Sequence, residues 1–229
     1  MAVGLFLKDI IADLQPQVTL EIGMAYGISS LFILEALRQA GGAKHYAIDP
    51  NQATQWLNIG VENIRRAEFG EMFELLQVPA HLGLATLEGR QVSVDFAFID
   101  GYHTFDHTLC EFFLVDKLLK TGGVIVFDDA NWPAIRKVCR FAVINRSYRV
   151  LRVLDQNGKR SHARSALDAA ATGLRKVTSL LSHVSLIDDL LKPELSTPDE
   201  ALGLSRRASD VALVKCCQDE RKWDHFVAF

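Results

Sequence analysis

The sequence has little of what marks several large classes of protein. It contains 25 Lys and Arg against 28 Asp and Glu, for a formal net charge of −3, so its overall balance does not favour a nucleic-acid or membrane-surface binder. No uncharged apolar run approaches the length that spans a membrane. The first residues lack the basic start of a signal peptide. We therefore expect a cytoplasmic protein without a membrane span or a nucleic-acid partner.

Cysteine is scarce and is not spaced as zinc ligands are. The four cysteines are Cys110, Cys139, Cys216 and Cys217. Each lies in an apolar segment of helical or strand-like character. We expect reduced, buried thiols rather than a disulfide framework.

The length of 229 residues and a hydrophobic fraction of 49% indicate one substantial core and are too small for two independent domains. Apolar runs typical of strands alternate with segments of helical periodicity, beginning with a helix from Leu5 to Leu14. The predicted strands are 18–23, 45–49, 72–78, 94–100, 124–129, 148–154 and 210–217, and the later helices are 28–40, 52–67, 81–89, 104–120 and 134–145.

Strands joined by helices pair in parallel through right-handed crossovers, and strands this apolar suit a sheet covered on both faces. The sequence therefore predicts one α/β domain over residues 1–229. Its sheet is a doubly wound, mostly parallel, seven-stranded Rossmann-like sheet. The last two predicted strands lack a helical crossover, so we expect them to form an antiparallel hairpin at one edge.

A helical insert, residues 155–209, precedes the last strand. A connection of this length is uncommon unless it has a function. Three interpretations stay open: an extra helix that pads the sheet edge, a lid over the substrate, or an oligomer contact.

The loop after the first strand, "EIGMAYGISS", has the features of a nucleoside-binding turn. Gly23 and Gly27 permit a tight turn and a close approach of a ligand to the backbone. Ser29 and Ser30 are placed to cap the next helix. Asp49 ends the second strand, where a carboxylate can accept both hydroxyl protons of a ribose.

The loop lacks the G-x-G-x-x-G fingerprint of dinucleotide-binding proteins, which disfavours a nicotinamide dehydrogenase. With Glu21 two residues before the first glycine, it resembles the first motif of class I S-adenosylmethionine-dependent methyltransferases, in which Gly more often stands at the position of Ala25. The resemblance covers residues 5–154 and the last strand. It implies S-adenosylmethionine as cofactor, bound by Glu21, Gly23, Ala25, Gly27, Ser29, Asp49, Pro79, Ala80 and Asp100.

Two neighbouring strands end in acid, at Asp100 and at Asp128 with Asp129. Three carboxylates cannot converge unpaired without large pKa shifts or a cation. Carboxylate oxygens suit Mg²⁺ or another hard divalent ion. We therefore predict a metal site formed by these three residues, where a cation lowers the pKa of a substrate hydroxyl.

The arrangement is similar to the cation-dependent O-methyltransferases of the catechol and caffeoyl-CoA type, which carry Asp-x-x-Lys after strand four and Asp-Asn or Asp-Asp after strand five. It also resembles the macrocin-type sugar O-methyltransferases, which carry Asp-Gly-Asp after strand four and Asp-Asp after strand five. This chain departs from both, with His103 in place of the Lys and Tyr102 in place of the extra Asp. Histidine has a suitable pKa for a general base, so His103 and Asp100 are the predicted catalytic residues.

These residues predict O-methylation of a small-molecule acceptor, which the sequence does not name: sugar, polyketide, phenol and peptide stay open, as does a homo-oligomer. Two alternatives to the metal-assisted reaction remain. One is a metal-independent methyltransferase with His103 as base. The other is a non-catalytic cofactor-binding protein.

Overall fold

The structure, a computed structural model, describes residues 1–155 and 197–229. Most of the predicted insert, residues 156–196, lies outside the described residues, so its role as a lid stays a prediction. Residues 197–204 lie against the helix Pro133–Asn145. There the Arg140 guanidinium donates to the Asp199 carboxylate at 2.6 Å and to the Thr197 carbonyl at 2.9 Å.

Helices and strands alternate along the chain as predicted. The helices are α1 (Ala2–Leu14), α2 (Ile28–Gln39), α3 (Ile59–Arg66), α4 (Ala80–Gly89), α5 (Phe105–Leu118) and α6 (Pro133–Asn145). The strands are β1 (Val18–Ile22), β2 (Lys44–Ile48), β3 (Phe73–Leu76), β4 (Val94–Ile99), β5 (Leu119–Phe127), β6 (Tyr148–Asp155) and β7 (Ala208–Lys215). A 3₁₀-helix, Asp199–Leu202, precedes β7.

The seven strands form one sheet in the order β3-β2-β1-β4-β5-β7-β6. The first five of these are parallel, and β7 runs antiparallel to both of its neighbours. The predicted fold class and the β6–β7 hairpin are confirmed. The strand order reverses between β1 and β4, which is where ligands bind in sheets of this kind.

Helices cover both faces of the sheet, which explains why its strands are apolar at nearly every position. Along β4, Phe96 and Phe98 point to the face that α1 and α2 cover, while Ala97 and Ile99 pack on the opposite face against α5 residues such as Phe112. All five side chains are at most 3% exposed. The rigid sheet therefore fixes the position of the loops at its carboxyl edge.

Two predicted boundaries are wrong. Helix 52–67 exists only from Ile59 to Arg66, because the preceding residues form turns. There the Gln52 amide donates to the Ala25 carbonyl at 2.7 Å and ties this segment to the loop after β1. Strand β5 begins at Leu119 rather than 124, so helix 104–120 is shorter than expected.

The prediction that the cysteines are buried holds for one of the four. Cys139 is buried, and the other three are exposed. All four thiols are free. Along the parts of the chain that the structure describes, no helix is long and apolar enough to cross a membrane.

Candidate functional site

The carboxyl ends of β2, β1, β4 and β5 lie side by side. Backbone hydrogen bonds continue past the strands: the N–H groups of Asp100 and Asp128 donate to the carbonyls of Ile22 and Ile99 at 2.9 and 3.1 Å. Asp49 follows the end of β2 in the same way. The topology therefore brings three of the predicted site carboxylates to one edge of the sheet.

Gly23 allows the ends of β1 and β4 to approach closely enough for the Asp100–Ile22 hydrogen bond. Its φ is 86°, and a Cβ there would lie 2.0 Å from the Asp100 carbonyl oxygen. No other residue fits, because the backbone conformation and the available space both require glycine.

A cavity of about 450 Å³ opens beside these strand ends, within the range for small-molecule sites. It holds six of the predicted cofactor residues: Gly23, Ala25, Asp49, Pro79, Ala80 and Asp100. Its other walls are Ile22, Ile48, Pro50, Asn51, Trp56, His81, Gly101, Tyr102, His103, His107, Cys110 and Glu111. A second cavity of about 240 Å³ shares Ala25 and Asp100 with the first and contains the predicted Ser29.

Asp49 supports the loop after β1 as well as forming part of the wall. Its carboxylate is 3% exposed and accepts from the backbone N–H groups of Met24, Ala25 and Asn51 at 3.2, 2.9 and 2.8 Å. The Gln52 amide donates to it as well, at 2.9 Å. These four donors fix the carboxylate where the sequence predicts a ribose contact.

Glu21 lies behind the loop and is not among the residues that line either cavity. It is fully buried, accepts a hydrogen bond from the Ser30 hydroxyl and lies 3.5 Å from the His45 ring nitrogen Nε2. The predicted capping of α2 by serine is wrong, because Gly27 is the N-cap and no side chain caps the helix. Gly27 also lies off both cavity walls.

The acidic strand ends surround His103. Its Nε2 lies 3.3 Å from Asp100 Oδ1, 3.5 Å from Asp129 Oδ2 and 3.9 Å from Asp128 Oδ2. Potential ligand atoms of Asp100, His103 and Asp128 lie within 4.8 Å of one another. This differs from the predicted metal set, because His103 takes the place of Asp129 in the group. Trp132 packs beside the imidazole with the ring centroids 5.7 Å apart.

The backbone is held in an unfavourable conformation at this point. Ala25, His103 and Asp129 have φ values of 48°, 52° and 49°, in the left-handed region that non-glycine residues rarely adopt. Such conformations persist where the surrounding structure imposes them, and they cluster at functional sites.

Burial and the neighbouring charges shift the pKa values of these residues. Burial, and then the charge of Asp128, raises the pKa of Asp100 to about 7 against the opposing effect of His103. Hydrogen bonding to Asp100 raises the pKa of His103 above its usual value. Burial and Asp128 likewise raise the pKa of Asp129.

Two further acids belong to this edge and were missed. Asp210, at the start of β7, is fully buried and accepts from the Ser209 hydroxyl at 2.8 Å. Burial and Asp128 raise its pKa to about 8. Because β7 is antiparallel, its first residues lie beside the last residues of β5, so the predicted hairpin could have located Asp210.

The second missed acid is Glu111, on α5. It is 5% exposed and lines the larger cavity. Desolvation by burial raises the pKa of its carboxyl to about 7. In the sequence it looks like an ordinary charged helix residue. Beside it on α5, His107 also lines the larger cavity and stacks on Tyr102 with ring centroids 5.0 Å apart.

Comparison with known proteins finds a family match within this region. Residues 20–130 match the family described as "Methyltransferase domain". The chain is 34% identical over 132 residues to Tapetum-specific methyltransferase 1 of Arabidopsis thaliana, covering 56% of this chain and 53% of that protein. It is 26% identical over 132 residues to the rhamnosyl O-methyltransferase of Mycobacterium tuberculosis, covering 54% and 50%. The chain thus spans about half the length of the curated relatives it matches.

Solved structures share the fold. An O-methyltransferase from Bacillus cereus in complex with SAH superposes with a TM-score of 0.57 at 23% identity, covering 68% of this chain and 74% of that one. An O-methyltransferase from Streptomyces achromogenes involved in tomaymycin synthesis, in complex with SAM, gives 0.58 at 20% identity with the same coverage. At these identities the likeness establishes only the shared Rossmann-like fold.

Proposed function

From the match of residues 20–130 to a methyltransferase-domain family, we propose that the chain transfers a methyl group from S-adenosylmethionine to a hydroxyl group of a small-molecule acceptor, with help from a divalent cation. The observation that carries the proposal is the meeting of a 450 Å³ cavity and a carboxylate–histidine cluster at Asp100. The relatives named O-methyltransferases support the reaction class.

The two cavities together suit an S-adenosyl group, which when bound supplies an electrophilic methyl. In this proposal Asp49 accepts the ribose hydroxyl groups in the larger cavity. The amino-acid end enters the smaller cavity, towards Ser29. Because both cavities share Ala25 and Asp100, the sulfonium lies near Asp100, beside the acidic cluster.

The donor set fits a divalent cation. Asp100 and Asp128 offer hard oxygen ligands, as Mg²⁺ and Mn²⁺ prefer, and the imidazole of His103 is a third donor. Burial and the charge of Asp128 raise the pKa of Asp100, and positive charge at the centre of the acids would oppose that shift. A cation bound there supplies charge that favours the deprotonated form of an acceptor hydroxyl.

The residues of the chain contribute mainly positioning. Asp100 and Asp128 fix where an acceptor oxygen sits relative to the cofactor cavity, and the exposed face of Trp132, beside His103, orients the acceptor skeleton. Holding the two reactants in line accounts for most of the rate enhancement that such a site can supply.

The direct test is SAH release from S-adenosylmethionine with a panel of phenolic and sugar acceptors. Turnover should disappear in EDTA and return with Mg²⁺ or Mn²⁺. Asp128→Asn should weaken the restoration of turnover by Mg²⁺ or Mn²⁺ without unfolding the protein. Asp106→Asn, on the exposed side of α5, serves as the control.

A second candidate is a metal-independent methyltransferase, and the position of His103 favours it. Its Nε2 lies within 3.9 Å of all three carboxylates, where an imidazolium can take the place of a metal ion. The base would be the neutral form of His103, which accepts the hydroxyl proton and becomes that imidazolium among the three carboxylates. Full turnover after exhaustive chelation would contradict the metal-assisted proposal and support this one.

A further inference from the structure

Glu111 presents a carboxyl group to the larger cavity without a partner of its own. The side chain is 5% exposed and lies on the cavity wall. Its Oε2 is fully buried and, within residues 1–155 and 197–229, has no hydrogen-bond partner. Buried polar atoms are nearly always satisfied, so Glu111 needs a hydrogen-bond donor that the described residues do not supply, and the cavity is where a bound molecule could bring one.

The loop after β4 is shaped to admit this carboxyl. A Cβ on Gly101 would lie 2.6 Å from Glu111 Oε1 and 2.9 Å from Oε2. The carboxyl group therefore packs directly on the Gly101 backbone, and any other residue there would displace it. Gly101 itself lines the cavity, which places the carboxyl beside whatever lies along this loop.

Other residues that line the cavity indicate which part of the cofactor reaches Glu111. With the ribose on Asp49 and the sulfonium near Asp100, the base would take the remaining part of the cavity, towards the start of α4 at Ala80 and His81. The first N–H groups of a helix have no partner within it. The cavity lining thus offers backbone donors as well as one carboxylate acceptor.

Adenine presents a matching edge, with a ring nitrogen that accepts next to an exocyclic amine that donates. We propose that Glu111 accepts a hydrogen bond from the exocyclic amine of the cofactor's adenine, and so selects adenine over purines that carry a carbonyl group at that position. The inference rests on the proposed function, since it assumes an S-adenosyl cofactor in this cavity.

The experiment compares binding of SAH with binding of its deaminated analogue, S-inosylhomocysteine, by calorimetry. The protein should prefer SAH by at least about tenfold, because the analogue sets a carbonyl oxygen against the carboxylate. Glu111→Gln should reduce that preference by about tenfold, because an amide can turn either its oxygen or its nitrogen to the ligand. Glu88→Gln, half exposed on α4, should leave the preference unchanged.

Thermal melting separates a ligand-binding role from a structural one. Glu111→Leu removes the orphaned carboxyl, so the ligand-free variant should melt at or above the temperature of the unmodified protein while gaining less stabilisation from SAH. A variant that melts well below it, or fails to fold, would overturn the proposal, since the carboxyl would then be stabilising the ligand-free fold.

The other outcomes are also decisive. Equal affinity for the two ligands in the unmodified protein, or an unchanged preference in Glu111→Gln, would overturn the role of Glu111 and leave the proposed function standing. Failure of the unmodified protein to bind either ligand would instead refute the proposed function itself.

Discussion

At the scale of single residues, the carboxylates of the site differ in what surrounds them. Asp49 accepts hydrogen bonds from four N–H groups, two in the loop after β1 and two in its own loop after β2. Asp100 faces Asp128 and His103, and burial raises its pKa to about 7. Asp49 is therefore a preformed acceptor that suits a neutral diol, whereas Asp100 gains most from a cation.

Replacing Asp49 with Ala should lower the affinity for SAH by about tenfold or more, because charge-assisted hydrogen bonds to the ribose are lost. The free energy of unfolding should also fall, by roughly 1–3 kcal/mol, since four donors lose their acceptor. Isothermal titration and chemical denaturation measure the two effects. Asp106→Ala, at an exposed acid, is the control; unchanged SAH affinity in a folded Asp49→Ala variant would place the cofactor elsewhere.

At the scale of elements, the site depends on how closely the ends of β1 and β4 approach. Gly23→Ala places a methyl group 2.0 Å from the Asp100 carbonyl oxygen at a φ of 86°. Gly41→Ala is a matched control, because its φ is 72° and no atom of the residues that the structure describes lies within 4 Å of the added carbon.

Both variants carry the strain of a left-handed alanine, about 1 kcal/mol, but only Gly23→Ala adds the clash. Gly23→Ala should therefore be the less stable in urea denaturation and should lose SAH binding, while Gly41→Ala keeps it. Equal losses of stability would mean that the two strand ends separate at little cost.

The sequence predicts elements well where one physical signal dominates. Apolar runs flanked by glycine identify buried strands, and acids at the ends of such runs, as at Asp100 and Asp128, identify a site. The first half of helix 52–67 was mispredicted because Gln52 bonds to Ala25, a contact between distant segments that no local pattern contains.

The missed residues have a similar explanation. The burial of Glu111 depends on its packing against Gly101, and Asp210 approaches Asp128 only because β7 inserts between β5 and β6. The position of Glu21 before the glycine loop predicts a cofactor contact; in the structure its side chain accepts from Ser30 behind the loop, and the cofactor contact stays a prediction.

At the scale of the whole molecule, the formal net charge is only −3, yet acidic side chains are concentrated at one edge of the sheet. Asp100, Asp128, Asp129, Asp210 and Glu111 come from β4, β5, α5 and β7 or the loops that follow them. Only the assembled sheet brings them together, so their repulsion is a property of the folded state.

Burial of these acids, together with their repulsion, should make the ligand-free protein less stable as the pH rises. The pKa values of Asp100, Glu111 and Asp210 are raised to about 7, 7 and 8, against about 4 for unfolded Asp and Glu. Between those values the folded state binds more protons than the unfolded one, so stability is present at low pH and is lost as the pH rises. The raised pKa of His103 acts in the same direction.

The melting temperature of the ligand-free protein should therefore fall from about pH 5 to about pH 8. Asp210→Asn should flatten this dependence, because the variant has one fewer raised carboxyl. A slope identical to that of the unmodified protein would show that Asp210 does not titrate in this window.

The central claim is that one cavity holds an S-adenosyl group while the adjoining acids hold a divalent cation. Calorimetric titration of the protein with SAH, with and without Mg²⁺ or Mn²⁺, tests both parts in one experiment. The account predicts binding of SAH in either condition, and binding of the cation that disappears in Asp128→Asn. A folded protein that does not bind SAH in either condition, or that binds SAH but neither Mg²⁺ nor Mn²⁺, would contradict it.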